Sequence, residues 1–314
     1  MLSLLPQRNL VLVVDEARCD PADFIDIANR IRSQAADIRV QVLQPKVIHS
    51  IARDTWDHPT LFLCLVNLPD LRIKRGNLLV TRPIPKLQQS EMMKLAHVPT
   101  PHAERYRFGM VFDEKLWASH VILKPEDLTL TSHGTGLEII ATKILSRKCE
   151  RDFPPDHFAR SHNMLVQNFI DTGRQPVRYR AMTFLGEVLY ISKITYAPQK
   201  AADATEIPAD FHSKSSAIRR EFQYYPHVYD FAKKVAAAFR QSPLLGCDIL
   251  EEHTTGNLYA IEVNAGGNVW HFSSPYLAKH RQEHPEDNVP RLTQYNAFDT
   301  AAKALINATR RQAI

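Results

Sequence analysis

The chain of 314 residues is long enough for two or three domains, and its 44% hydrophobic and 23% charged residues exclude extensive disorder. The formal charge of +5 favours small anionic ligands, but Lys and Arg are interspersed with acids and form no basic run, which excludes a nucleic-acid or membrane-surface protein. Cys19, Cys64, Cys149 and Cys247 are too scattered for a zinc site or a disulfide framework. The N-terminal MLSLLPQRNLVLVVDEA lacks the basic start of a targeting segment, and no apolar run approaches membrane-spanning length, so a cytoplasmic protein is expected.

Asn9 to Asp15 is an apolar run ending in an acid, the pattern of a buried parallel strand. Phe24, Ile27, Ala28 and Ile31 then recur at helical spacing over Pro21 to Ala35, with Asp20 as N-cap. Strands are predicted at Ile38 to Leu43, Thr60 to Asn67 and Gly76 to Thr81, with a helix at Lys46 to Trp56. This alternation predicts a small open α/β domain over residues 1–85. No glycine-rich turn follows its first strand, so a dinucleotide role is not expected.

After the punctuation of Arg82 to Pro85, a helix begins at Lys86 and is stopped by Pro99 and Pro101. Lys86 itself is either a solvated terminus or a phosphate ligand. Ser119 to Pro125 reads as a strand ending in Lys124, and a lysine closing an apolar strand needs a partner, for which an anion is one candidate. The loop of Thr131, Ser132, His133, Gly134, Thr135 and Gly136 has backbone N–H groups able to curl around phosphate oxygens, or is an ordinary turn before a strand at Leu137 to Leu145.

Met164 to Asp171 reads as a further strand, and Pro176 to Leu185 with Glu187 to Tyr196 as a hairpin about Gly186. The hairpin carries Lys193, and Arg178 and Arg180 share one of its faces. Ala197 to Ala217 is a long polar loop of the kind used as lids, with Lys200, Lys214, Arg219 and Arg220 nearby. Helices are predicted at Val228 to Phe239 and Thr293 to Ala308.

Two short strands joined by His253 to Asn257 dominate the C-terminal half: Gly246 to Leu250 and Leu258 to Asn264. Alternation puts Glu262 and Asn264 on one face, and hairpin pairing brings Asp248 beside them. Two carboxylates and an amide oxygen suit magnesium, although a solvated strand face has the same pattern. Gly266, Gly267 and Asn268 follow and give a backbone that a substrate can approach closely.

In this order, GCDIL with YAIEVNAGG, VILKP with SHGTG, and LVQNFID with VRYRAMTFLGEVLYISK resemble the ATP-grasp superfamily, in its glutathione-synthetase-like and ribosomal-protein glutamate ligase type. The resemblance covers Pro85 to Asn307. It implies an α/β (α+β) ATP-grasp fold, two lobes clasping ATP behind a small open α/β pre-grasp domain, with lobes over residues 86–164 and 165–314. It implies that Lys86 and Lys124 hold ATP phosphates, that Ser132, His133, Gly134, Thr135 and Gly136 close over them, and that Gln167, Asn168 and Phe169 form the adenine hinge. Asp248, Glu262 and Asn264 would carry Mg2+, or Mn2+ in its place, while Arg178 and Lys193 would face the transferred phosphate and the acyl intermediate.

The chain departs from the pattern at Asn168, where a glutamate is usual, and at Pro176, where an acid usually holds ribose, a role that then passes to Asp171 or another residue. The implied reaction is ATP-dependent carboxylate–amine ligation through an acyl phosphate, on a small-molecule carboxylate and an amine (amino acid or peptide), with no nucleic acid and no membrane involved. A homodimer is compatible with this reading. A kinase of a hydroxylated substrate and a non-catalytic ATP-binding module are the alternatives, and the retained metal ligands and lysines count against the latter.

Overall fold

In this computed structural model, residues 7–47, 58–68, 76–127, 136–197 and 217–314 are described, and they form three β-sheets with helices between them. The first sheet is parallel, in the order β2-β1-β3-β4, from β1 (Arg8–Val13), β2 (Ile38–Leu43), β3 (Thr60–Cys64) and β4 (Asn77–Val80). A parallel sheet is covered on both faces, so β1 and β3 are buried almost end to end and read as apolar runs without alternation. Helix α1 (Pro21–Gln34) starts where Asp20 accepts the Ala22 N–H at 2.9 Å and buries Phe24, Ile27, Ala28 and Ile31. Most of the helix expected at Lys46 to Trp56 lies outside the described residues.

Helix α2 (Lys86–Leu95) leads into the second sheet. Its strands β5 (Ala103–Arg105), β6 (His120–Pro125), β7 (Glu138–Ala141) and β8 (Met164–Asn168) are antiparallel, in the order β5-β8-β6-β7. The strand expected through Leu145 ends at Ala141. There the Thr142 N–H donates to Ser119 O at 2.8 Å and its hydroxyl to Ala118 O, which turns Thr142–Leu145 into one helical turn.

The third sheet is antiparallel, β11-β10-β9-β12-β13, from β9 (Val177–Phe184), β10 (Glu187–Tyr196), β11 (Ala217–Glu221), β12 (Leu244–Glu251) and β13 (Leu258–Ala265). Leu185 and Gly186 join β9 to β10 with φ of +51° and +88°, the two left-handed residues of a tight hairpin turn. Helix α3 (Pro226–Ala238) covers one face with Val228, Phe231, Ala232 and Val235. Helix α4 (Ala297–Gln312) starts four residues later than expected, because Asn296 is left-handed (φ +50°) and breaks it from the short helix Asn288–Thr293.

The other face of the third sheet shares one core with the first. Leu10, Leu12 and Ile31 belong with Phe184, Tyr190, Leu244, Trp270 and Leu305. Trp270 is fully buried, 4.6 Å from the Phe24 ring, and its indole N–H donates to Asp23 at 2.8 Å. The second sheet has its own core, which includes Tyr106, Trp117, Val121, Leu123, Met164 and Val166. Among the described residues no helix is long and apolar enough to cross a membrane.

Candidate active site

Strands β12 and β13 pair with Asp248 opposite Glu262 and Gly246 opposite Asn264. Directly opposed side chains share a face with Cβ atoms about 5 Å apart, so the structure brings together all three residues read as metal ligands. Asn264 Nδ2 donates to Asp248 Oδ2 at 3.3 Å, leaving its amide oxygen available. Asp248 is 4% exposed, and its buried Oδ1 accepts no hydrogen bond. Arg180 Nε stands 3.2 Å and Arg178 Nε 3.7 Å from that oxygen. Two carboxylates set opposite each other repel unless a cation joins them, and with the amide oxygen they make a hard donor set suited to magnesium. Among the described residues no group of three His, Cys, Asp or Glu side chains occurs, so ions held here would take remaining ligands from water or phosphate.

Gly246 is needed at this spot. A Cβ there would meet Arg180 Nη1 at 2.8 Å and Val269 Cγ1 at 2.9 Å, so only glycine lets Arg180 lie across β12 and donate to Gly246 O at 3.1 Å.

Lys124 on β6 (7% exposed) donates to Gln167 Oε1 at 2.9 Å, and Lys86 at the start of α2 (6% exposed) donates to Pro125 O at 3.4 Å. Neither has an ion-pair partner among the described residues. Burial pulls the pKa of Lys86 down to about 8 against the attraction of Glu262, with Lys124 adding to the fall. Burial likewise lowers Lys124, opposed by Glu262 and Asp248. Two buried ammonium groups, Lys124 on the second sheet and Lys86 on α2, set near two carboxylates of the third sheet form a site that anionic oxygens and a divalent cation would complete.

Beside Lys124, Ile122, Ile139, Leu137 and Phe169 form a separate apolar patch suited to a flat ring. At the hinge, the N–H groups of Asn168 and Phe169 are already taken by His102 O (2.8 Å) and His120 O (3.1 Å). The Asn168 side chain holds the 116–118 turn, accepting from Ala118 N at 3.0 Å and donating to Leu116 O at 2.9 Å. The next amide, Ile170 N–H, donates to no described group and was missed in the sequence. Its availability depends on where pairing of β8 stops. Asp171 is exposed and ties its own turn, accepting from Gly173 N at 2.8 Å, while the neighbouring Thr172 hydroxyl is buried without a partner. Of the phosphate loop only Gly136 is described, with φ +70°. Ser132, His133, Gly134 and Thr135 lie outside the described residues, as does nearly all of the Ala197 to Ala217 loop.

Lys193 is not brought to these groups. It pairs with Tyr179 and Glu221, on the face covered by α3, whereas Arg178 and Arg180 pair with Ile194 and Ser192 on the face of Asp248. The cation next along that face is Arg220, opposite Ile194. The parity of β11 decides this, and the weakly patterned segment before it gave no register. Gly266 is left-handed (φ +115°), and Gly267 is packed against the first sheet, where a Cβ would meet Arg18 Cβ at 2.8 Å. Asn268 is exposed beside them.

Solved structures match almost the whole chain. The ATP-grasp ligase PsnB complexed with minimal precursor, Mg and ADP covers 96% of this chain and 98% of its own, at 13% identity and TM-score 0.52. The macrocyclase MdnC bound with precursor peptide MdnA from Microcystis aeruginosa MRC covers 95% and 99%, at 9% identity and TM-score 0.51. The chain has the ATP-grasp fold. No protein-family profile and no curated relative matches it. Within this fold, Lys124 of the second sheet and Glu262 of the third lie close enough to interact electrostatically.

Proposed function

We propose that the chain is an ATP-dependent carboxylate–amine ligase of the glutathione-synthetase-like and ribosomal-protein glutamate ligase type, built from a pre-grasp domain over residues 1–85 and two lobes, with the boundary expected at 164/165 moved to after Asn168 because β8 pairs with β6 in the second sheet. The observation that carries this is the pair of buried lysines without ion-pair partners, Lys86 and Lys124, set against Asp248 and Glu262. Lys86 and Lys124 hold nucleotide phosphates, the patch of Ile122, Ile139 and Phe169 takes the base, and Ile170 N–H meets its edge. Asp248, Glu262 and Asn264 hold magnesium, which when bound neutralises charge on the transferred phosphoryl group.

A carboxylate oxygen of the acid attacks the γ-phosphorus and ADP leaves. The amine nitrogen then attacks the acyl carbon, losing a proton as phosphate departs. Arg178, whose buried Nε lacks a hydrogen-bond partner, orients the acid by charge-assisted hydrogen bonding. Lys193 has no part in this site. The peptide-bound neighbours support an amino acid or peptide among the substrates.

Calorimetry with ADP, with and without magnesium, tests the site, and ADP release across a panel of acids and amines tests the reaction. Magnesium-dependent ADP binding and phosphate release that needs both acid and amine are expected. Binding that ignores magnesium, or transfer of phosphate to a hydroxyl, refutes the reading.

A further inference from the structure

The face that carries Asp248 continues into a second concentration of positive charge. Arg178 is opposite Ile194, and Ile194 is opposite Arg220, so the two arginines share a face two strands apart, about 10 Å between Cα atoms at ordinary strand spacing. From above, Arg291 on the short helix Asn288–Thr293 reaches down over β10. Its guanidinium carbon is 5.9 Å from the Tyr190 ring centre and 5.2 Å from that of Phe222, and the residue is only 2% exposed. Its Nη1 donates to Asn288 Oδ1 at 3.3 Å. His271, buried, is hydrogen-bonded through Nδ1 to the Tyr190 hydroxyl, and Arg281 donates to His271 O at 3.3 Å and Ser274 O at 2.9 Å.

Among the described residues no carboxylate lies within ion-pair distance of Arg220 or Arg291. The acids nearby are engaged elsewhere: Asp248 with Arg180 and Arg178, and Asp287 with His280 at 3.0 Å. Burial lowers the pKa of both arginines, and Arg178 and Arg291 push Arg220 down further. Burial and the surrounding arginines also hold His271 neutral. Arg291 is buried and Arg220 half-buried; guanidinium groups withdrawn from water without a counter-charge are costly, and the cost disappears when an oxyanion occupies the site.

Strand spacing decides which anion. Glu262 on β13 and Arg220 on β11 stand at opposite edges of the sheet, four strand intervals or about 19 Å apart. A phosphoryl group at Asp248 and Glu262 therefore cannot also meet Arg220. Arg178 lies between the two ends, where the reacting carboxylate of the proposed ligase belongs.

We propose that Arg220 and Arg291 bind a second carboxylate of the acid substrate, so that the substrate is a short dicarboxylate. The inference rests on the ligase reading for the role of that ligand, and on the arginine geometry alone for its binding. The two guanidinium forks match a carboxylate, and the stacking of Arg291 on Tyr190 and Phe222 fixes that arginine before the ligand arrives.

Calorimetry with succinate, glutarate, L-aspartate and L-glutamate, against butyrate and inorganic phosphate, is run with magnesium and a non-hydrolysable ATP analogue present. At least one dicarboxylate should bind tenfold or more tightly than butyrate and phosphate. Arg220→Met should weaken it at least tenfold and Arg220→Lys less. Arg219→Met, which removes an equal charge from the opposite face, should bind as the wild type does. Melting temperatures confirm that each variant is folded. Butyrate or phosphate binding as well as every dicarboxylate, no dicarboxylate binding to the wild type, or equal behaviour of Arg220→Met and Arg219→Met overturns the inference. Hydroxylamine, as a generic amine, separates it from the ligase reading. Dicarboxylates that bind through Arg220 but release no ADP leave the site standing and remove the ligase. ADP release with butyrate as readily as with the dicarboxylates keeps the ligase and removes the second carboxylate site.

Discussion

Replacing Glu262 by Gln keeps the size of the side chain and removes one charge from the centre of the site. Asp248 and Glu262 are opposed across paired strands and like charges there repel, so the change relieves part of that repulsion in the ligand-free protein. The same carboxylate attracts Lys86 and Lys124, and that attraction is lost. The two terms oppose each other, so the melting temperature should move by no more than a few degrees, each about 1 kcal/mol shift counting for about 2–4 °C in a chain of this class or larger. Function has no such offset. Loss of a charged ligand at the transferred phosphoryl group should lower ADP release by about 10²–10³-fold, the range found when a single electrostatic stabiliser is removed from a transition state. Calorimetry supplies a second reading, since ADP binding by Glu262→Gln should lose most of its magnesium dependence. With Glu262 gone, the pKa of Lys86 should fall further below about 8. A folded Glu262→Gln protein with wild-type turnover and wild-type magnesium dependence refutes the metal assignment and removes the main support for the ligase.

Lys124→Met should reduce ADP affinity at least tenfold while costing about 1–3 kcal/mol of stability, because Gln167 Oε1 loses its buried donor. A normal ADP affinity in the folded Lys86→Met/Lys124→Met double variant would remove both lysines from the phosphate site. Lys86 titrates at about 8 in the folded chain and at about 10.4 unfolded. Across that window the unfolded chain binds more protons, so the contribution of Lys86 to ligand-free stability rises with pH, whereas ADP affinity, which needs the ammonium, falls above pH 8. Melting of wild type against Lys86→Met from pH 7.5 to roughly 10.5 and ADP titrations over the same range check the two opposite slopes. Gly246→Ala should cost about 1–3 kcal/mol by overpacking against Arg180 and Val269 and should depress turnover. An unchanged urea midpoint would show that Arg180 has room to shift.

What the sequence disclosed was whatever a local pattern determines. β1 and α1 were legible because an apolar run and an Asp20 cap need no distant partner. The Asp248, Glu262 and Asn264 cluster was legible because period-two alternation and a short turn leave little choice of register. Lys193 was misplaced for the opposite reason: the face a side chain takes in a hairpin depends on parity against neighbours, and Arg178 and Lys193 have opposite parity across β9 and β10. Arg220 and Arg291 were invisible as a pair, since one stands on an edge strand behind a weakly patterned segment and the other arrives from a helix about 70 residues later. Asn296 shifted the start of α4 because propensity alone does not show a single left-handed residue between two helical stretches.

The common core of the first and third sheets fixes which parts can shift against each other. Leu10 and Ile31 pack with Phe184 and Trp270, so these two sheets form one rigid block, to which α2 is also tied where Gln89 accepts the Val263 N–H at 2.8 Å. The second sheet, with its separate core, is attached through two crossings that hold His97 (φ +54°) and Gly173 (φ +86°). On nucleotide binding, the expected movement is a swing of this smaller sheet about those two joints, bringing Lys124 towards Glu262. Amide exchange should slow in β6 and β8 on nucleotide binding while β1 and β10 respond together or not at all.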